Sequence, residues 1–342
     1  MTVNADLDSL VLEEVRAATG RPDLAFAGRP MRLTGGFWAE LLAFTLADPP
    51  PGWPLALVAR VMPDPLTARK ESIVQAAVAA SGFPTPAVRV TGGPDSRLGR
   101  AFMIMDKASG DPLLSGLHGL GAVGSGLRQA SRLADVLAST MAALHATDPA
   151  PVRGELAGLA GIPVTVPGML GYLRAAAGRT DRADLVAAVS FLLDHPRPAE
   201  REVICHGDLH PFNVLADGRE VTVLDWSASL LGPRGYDVAF TTLMLAEPPL
   251  VVPGAFRPAL RGLGRLVAGR FVTRYQAHAG TTIDGDGLRW HQAVVCLRAL
   301  VEVAGWVQDG SIGERSGHPF LTSGCALAER VTAVTGVPVR PR

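Results

Sequence analysis

The spacing of apolar and polar positions changes character twice along the chain. Between residues 6 and 19 (DLDSLVLEEVRAAT), Leu7, Leu10, Val11 and Val15 recur at helical spacing, and Gly20 is a natural stop. The period then shortens. Met31–Thr34 and Trp38–Leu46 predict two strands joined through Gly35 and Gly36. Leu55–Met62 (LALVARVM) predicts a third, apolar strand interrupted by Arg60. Residues 67–81 predict a helix ended by Gly82, with Pro84 and Pro86 beyond it. Val88–Thr91 and Ala101–Met105 predict two further strands, and the polar, turn-forming stretch 106–112 (DKASGDP) marks a boundary.

Beyond that boundary the period is mostly helical. Helices are predicted over 127–146, 182–194, 256–279 and 290–308. A strand-like insert comprises Val203–Cys205, Val214–Ala216 and Val221–Leu224, with Asp217-Gly218 as a hairpin turn. No internal repeat or low-complexity segment is present. The order predicts an α+β chain of two lobes: a strand-rich lobe over residues 1–105, a hinge over 106–112, and a large helical lobe over 113–342.

Composition supports two packed lobes. The chain has 342 residues, long for one core, and its 48% hydrophobic and 19% charged content argues against wholesale disorder. Basic and acidic residues number 32 each, so the basic excess of a nucleic-acid binder is missing. Only Lys70 and Lys107 are lysines; the arginine, alanine, glycine and proline content reads as coding bias rather than as a phosphate-binding signal. Cys205, Cys296 and Cys325 are odd in number, far apart and without CxxC spacing, which argues against a disulfide framework and a zinc cluster. The first residues are acidic and amphipathic, unlike a signal peptide, and no uncharged apolar run reaches the ~18 residues of a membrane span. A cytoplasmic protein without a membrane partner is expected.

The candidate chemistry lies in HGDLHPFNVLADGREVTVLDW, residues 206–226. Asp208 and Asn213 are spaced D-x4-N, and Asp225 follows the second strand of a short hairpin. The order suits phosphoryl transfer: one carboxylate orients a hydroxyl and takes its proton, while an Asn oxygen and a second carboxylate hold Mg²⁺ against nucleotide phosphates.

This segment resembles the catalytic core of the aminoglycoside phosphotransferase and choline kinase family, small-molecule kinases with the bilobal fold of protein kinases. The resemblance implies Asp208 as catalytic base and Asn213 and Asp225 as Mg²⁺ ligands, with Asp225-Trp226 in place of the kinase Asp-Phe-Gly. It implies a structural role for His206 and a loop-buttressing role for Asp237, in GPRGYDVAF. In the strand-rich lobe, Gly35 and Gly36 would let backbone N–H groups approach phosphates. Arg60 would be the phosphate-anchoring cation, paired with Glu71; the alternatives are an arginine snorkelling from an edge strand and a solvated glutamate. Lys70 reads as exposed. Backbone groups near Met105 and Lys107 would meet the adenine of ATP, or the guanine of GTP. Leu144-His145 resembles a family pair, with His145 as a helix cap. His210 either approaches a substrate or satisfies backbone carbonyls, and Phe212 stands where the family often has Gly.

Other chemistries lack their parts. GDLH at 207–210 suits a metallophosphoesterase, yet no second G-D-x-x-D or G-N-H block follows. His206 and His210 are four apart, but Gly207 and Pro211 spoil a helix and no third zinc ligand is near. The expected function is a Mg²⁺-dependent kinase of a small hydroxylated acceptor, with a nucleotide-binding pseudokinase as the alternative. From residue 240 onward, seven acidic residues face eleven arginines, a poor surface for a polycationic aminoglycoside.

Overall fold

A computed structural model describes residues 3–33, 39–113, 122–218, 220–248, 257–315 and 318–341. The predicted glycine turn at Gly35 and Gly36 lies outside the described residues. The chain divides into two compact units. The first comprises Met1–Leu113, Ala150–Gly161 and Phe212–Ala228; the second comprises Leu114–Pro149, Ile162–Pro211 and Ser229–Arg342.

The first unit is built on an antiparallel sheet of β1 (Met31–Leu33), β2 (Glu40–Thr45), β3 (Ala56–Met62), β4 (Val88–Gly92) and β5 (Ala101–Asp106), in the order β1-β2-β3-β5-β4. Strand alternation sorts its side chains. Leu57, Ala59 and Val61 of β3 join a core with Leu7, Val11 and Val15 of helix α1 (Val3–Thr19). Arg60 and Met62 therefore point to the opposite face, where Met62, Ala101 and Met103 pack with Ala68 of helix α2 (Pro65–Ala80). Asp64 starts α2 by accepting the N–H groups of Leu66 and Thr67, ahead of Pro65 in the first turn. Strand β6 (Asp111–Pro112) pairs with the hairpin β8 (Val214–Asp217) and β9 (Glu220–Val223).

The second unit is mainly helical: α3 (Ala122–Ala146), α5 (Val166–Ala177), α6 (Ala183–Asp194), α7 (Arg234–Ala246), α8 (Arg257–Ala279), α9 (Gly285–Gln308) and α10 (Pro319–Thr335), with α4 (Ala150–Leu156) belonging to the first unit. A two-stranded pair joins β7 (Glu202–Cys205) to β10 (Leu230–Pro233). The core gathers Leu170, Leu185, Val189, Tyr236, Phe240, Val294, Leu297 and Val331.

Strand-rich and helical portions thus follow the predicted order, and the α+β class holds. Several elements were not predicted. The first turn of α5 carries Pro167 and Gly168, and α9 opens on Gly285, five residues before the predicted start, because Asp284 caps it through the N–H groups of Asp286 and Gly287. Helix α10 likewise opens on Pro319. Proline and glycine read as breakers in a sequence, yet proline suits a first helical turn. Lys70 is buried, not exposed. No described helix is long and apolar enough to cross a membrane.

Candidate active site

In the first unit the predicted phosphate anchor and a predicted metal ligand meet. Arg60 lies on the central strand β3 rather than on an edge and is 8% exposed. Its Nε stands 3.2 Å from Oε1 of Glu71, and its Nη2 donates to Oδ1 of Asp225 at 3.2 Å. Glu71 is fully buried, so it is not a solvated helix residue. Burial pushes its carboxyl up to about 7, although Arg60 pulls the other way. The Arg60 guanidinium is held charged: burial disfavours its charge, and Glu71 and Asp225 outweigh that cost.

Asp225 is the one non-glycine residue at positive φ among the described residues, at 64°. Aspartate tolerates the left-handed region better than most side chains. Its Oδ1 also accepts Ser227 Oγ at 2.6 Å and Ser227 N at 3.3 Å. Asn213 sits at the mouth of the β8–β9 hairpin, where its carbonyl accepts the N–H of Leu224 at 2.8 Å. Asn213 and Asp225 offer hard oxygens, and none of the chain's eight histidines or three cysteines lies in this unit. That donor chemistry suits Mg²⁺ and not a thiophilic ion.

The predicted adenine-side residues end β5. Gln75 Nε2 reaches Met105 Sδ at 3.3 Å, and the N–H of Lys107 is committed to Ala56 O at 3.1 Å. Arg89 grips Asp106 with two hydrogen bonds of 2.6 and 2.7 Å.

In the second unit, the loop carrying Asp208 is fixed from three sides. Asp237, fully buried on α7, accepts the N–H of Gly207 at 2.6 Å and of His206 at 2.8 Å. Gly207 has φ 73°, a conformation that favours glycine. From α9, Arg298 Nη1 donates to Gly207 O at 3.0 Å. Burial opposes the charge of Arg298, and Tyr236, Asp208 and Glu302 together outweigh it. Glu302, one turn further along α9, is pushed up by burial despite Arg298. His206 is buried, and its Nδ1 accepts the N–H of Asp208 at 3.3 Å. His210 Nε2 stands 3.7 Å from Asp208 Oδ2. Phe212, in the first unit, is half exposed.

His145 differs from its expected capping role. It is buried, with Nδ1 2.7 Å from Tyr275 Oη and Nε2 3.2 Å from Asp237 Oδ2. His145, Cys205 and Asp237 lie close enough to suggest a metal site. Both His145 nitrogens and both Asp237 oxygens already have protein partners, and burial pushes the Cys205 thiol up, away from a metal-binding thiolate. The cluster is a structural brace. Arg298 and Tyr275 carried no recognisable signal in the sequence, because Arg298 lies 91 residues from Gly207 and Tyr275 lies 130 residues from His145.

Residues 38–275 match the model of a family described as the phosphotransferase enzyme family, APH. No curated protein sequence matches the chain. Among solved structures, an aminoglycoside phosphotransferase candidate from Ralstonia eutropha JMP134 shares 20% identity at a TM-score of 0.66, with 98% of each chain covered. Macrolide 2'-phosphotransferase MphH from Brachybacterium faecium shares 18% identity at 0.53, covering 99% of this chain and 100% of its own. Aminoglycoside phosphotransferase APH(4)-Ia shares 18% at 0.58, covering 97% and 100%. At such identities the likeness establishes the fold. The family match spans more than half of the chain and includes Arg60, Glu71, Asp208, Asn213, Asp225 and Asp237. The chain is therefore a member of the APH phosphotransferase enzyme family.

Proposed function

We propose that this phosphotransferase moves the γ-phosphoryl group of ATP, or GTP, to a hydroxyl of a small-molecule acceptor. Residues 1–105 bind the nucleotide, 106–112 act as the hinge, and 113–342 provide catalysis and acceptor binding. The observation that carries the reading is the chain of charges Glu71–Arg60–Asp225: a strand arginine held between a buried helix carboxylate and a second carboxylate that suits a hard cation. An arginine so held presents a fixed fork to phosphate oxygens.

Asn213 and Asp225 hold Mg²⁺, which when bound neutralises phosphate charge. Gly35 and Gly36 offer backbone N–H groups to the phosphates, and the chain at Met105 and Lys107 borders the base. Asp208 orients the acceptor hydroxyl and takes its proton as the oxygen bonds to phosphorus. The bond from phosphorus to the nucleoside diphosphate oxygen breaks, and the diphosphate leaves. His206, Asp237 and Arg298 hold the loop in the shape that presents Asp208, and His210 neighbours its carboxylate.

The presence of Asp208, Asn213, Asp225 and Arg60 together favours an active enzyme over a nucleotide-binding pseudokinase. The arginine excess beyond residue 240 favours a neutral or anionic acceptor over a polycationic antibiotic. The test is transfer of labelled γ-phosphate from ATP and GTP into small molecules of a cell extract, with and without Mg²⁺. Labelled product from the wild type and none from Asp208→Asn supports the reading. Equal labelling by both proteins overturns the role of Asp208, and nucleotide binding without any product favours the pseudokinase.

A further inference from the structure

The positive φ of Asp225 carries a steric cost that the surrounding structure has to offset. One hydroxyl spans that residue. Thr85 Oγ1 donates to the carbonyl of Val223 at 2.8 Å, two residues before Asp225. The same oxygen accepts Trp226 Nε1–H at 2.9 Å, one residue after it. Thr85 thus clasps the backbone on one side of Asp225 and the side chain on the other. Its neighbours reinforce the grip: Val223 N donates to Pro84 O at 2.8 Å, and the buried Trp226 ring meets Phe83 edge-on at 5.9 Å.

Residues 83–85 form the loop that leaves α2, the helix carrying Glu71. The clasp therefore ties the Asp225 segment to the same element that orients Arg60. All of these groups belong to the first unit. A packing role alone needs no hydroxyl, because valine fills the same volume.

Resting on the nucleotide reading above, we propose that Thr85 is a positioning residue for divalent-cation-dependent nucleotide binding. Its hydroxyl, through Val223 and Trp226, holds the Asp225 carboxylate in its working orientation.

The test is calorimetric titration of ATP into the full chain, in MgCl₂ and in EDTA, for the wild type, Thr85→Val, Thr85→Ser and Trp226→Phe. The clasp predicts that Thr85→Val loses about tenfold of the Mg²⁺-dependent gain in affinity, the equivalent of one hydrogen bond, with binding in EDTA unchanged. Thr85→Ser, which keeps the hydroxyl, stays within about twofold of the wild type. Trp226→Phe, which keeps an aromatic ring and removes only the N–H, shows an intermediate loss and serves as the decisive variant if Thr85→Val does not fold. A wild-type Mg²⁺ dependence in Thr85→Val or, failing that, in Trp226→Phe overturns the proposal. So does an equal loss in the Ser and Val variants, which marks a packing effect. A wild type that binds ATP no better with Mg²⁺ refutes the nucleotide reading itself, and the clasp with it.

Discussion

Asp237 accepts the backbone N–H of Gly207 at 2.6 Å across thirty residues of sequence, one of the contacts that fix the chain just before Asp208. Its second oxygen takes the N–H of His206, so both carboxylate oxygens of a fully buried side chain are spent on one loop. A carboxylate accepting two backbone donors in a dry interior is a stiff support, since either donor left alone carries a desolvation cost.

Replacing Asp237 by Asn exchanges one acceptor oxygen for a donor that faces a backbone N–H. Stability should fall by about 1–3 kcal/mol, read as a lower urea midpoint at unchanged slope. An unchanged midpoint contradicts the support role.

Asp225→Asn keeps a residue tolerant of the left-handed conformation and removes the charge. The folded protein should persist, while the Mg²⁺-dependent part of ATP affinity disappears in equilibrium binding. Retained Mg²⁺ dependence removes Asp225 from the metal site.

Glu71 gives a pH signature. Its carboxyl is raised from 4.5 to about 7 in the folded state, so the folded protein holds a proton that the unfolded chain has released. Stability from this group is present below about pH 4.5 and is lost as pH rises through 7. The loss is on the order of 3 kcal/mol. Glu71→Gln mimics the protonated form, so its thermal midpoint should be flatter than that of the wild type between pH 5 and 7.5. Above about pH 7, where Glu71 of the wild type is charged, nucleotide affinity should be lower in Glu71→Gln, because Arg60 lacks its charged partner. Parallel pH curves for the two proteins rule out Glu71 as the titrating group.

Arg298→Met preserves length and apolar contact but leaves the carbonyl of Gly207 without its charged donor. A loss of about 1.5–3 kcal/mol in stability is expected from denaturant unfolding. Phosphoryl transfer should fall further than ATP affinity, because the contact is made to the loop of Asp208. Equal loss of binding and transfer points instead to general destabilisation.

The sequence by itself determined the order of the strand-rich and helical portions and supplied the residues proposed to carry the chemistry. Alternating apolar positions marked the strands from residue 31 to 105, and Asp217-Gly218 marked the hairpin between Asn213 and Asp225. Asp208-x4-Asn213 followed by Asp225 named the reaction class, because those residues lie within one short stretch of chain. Tertiary structure decided which distant groups those residues meet. Arg60 reaches Asp225 across 165 residues, and Thr85 reaches Trp226 across 141. It turned Lys70 inward, made His145 a brace rather than a cap, and brought Arg298 of α9 to Gly207. The physical reason is that periodicity assigns a side chain to a face of its own strand or helix. The partner on that face depends on register and packing against elements far along the chain, and no local pattern encodes either.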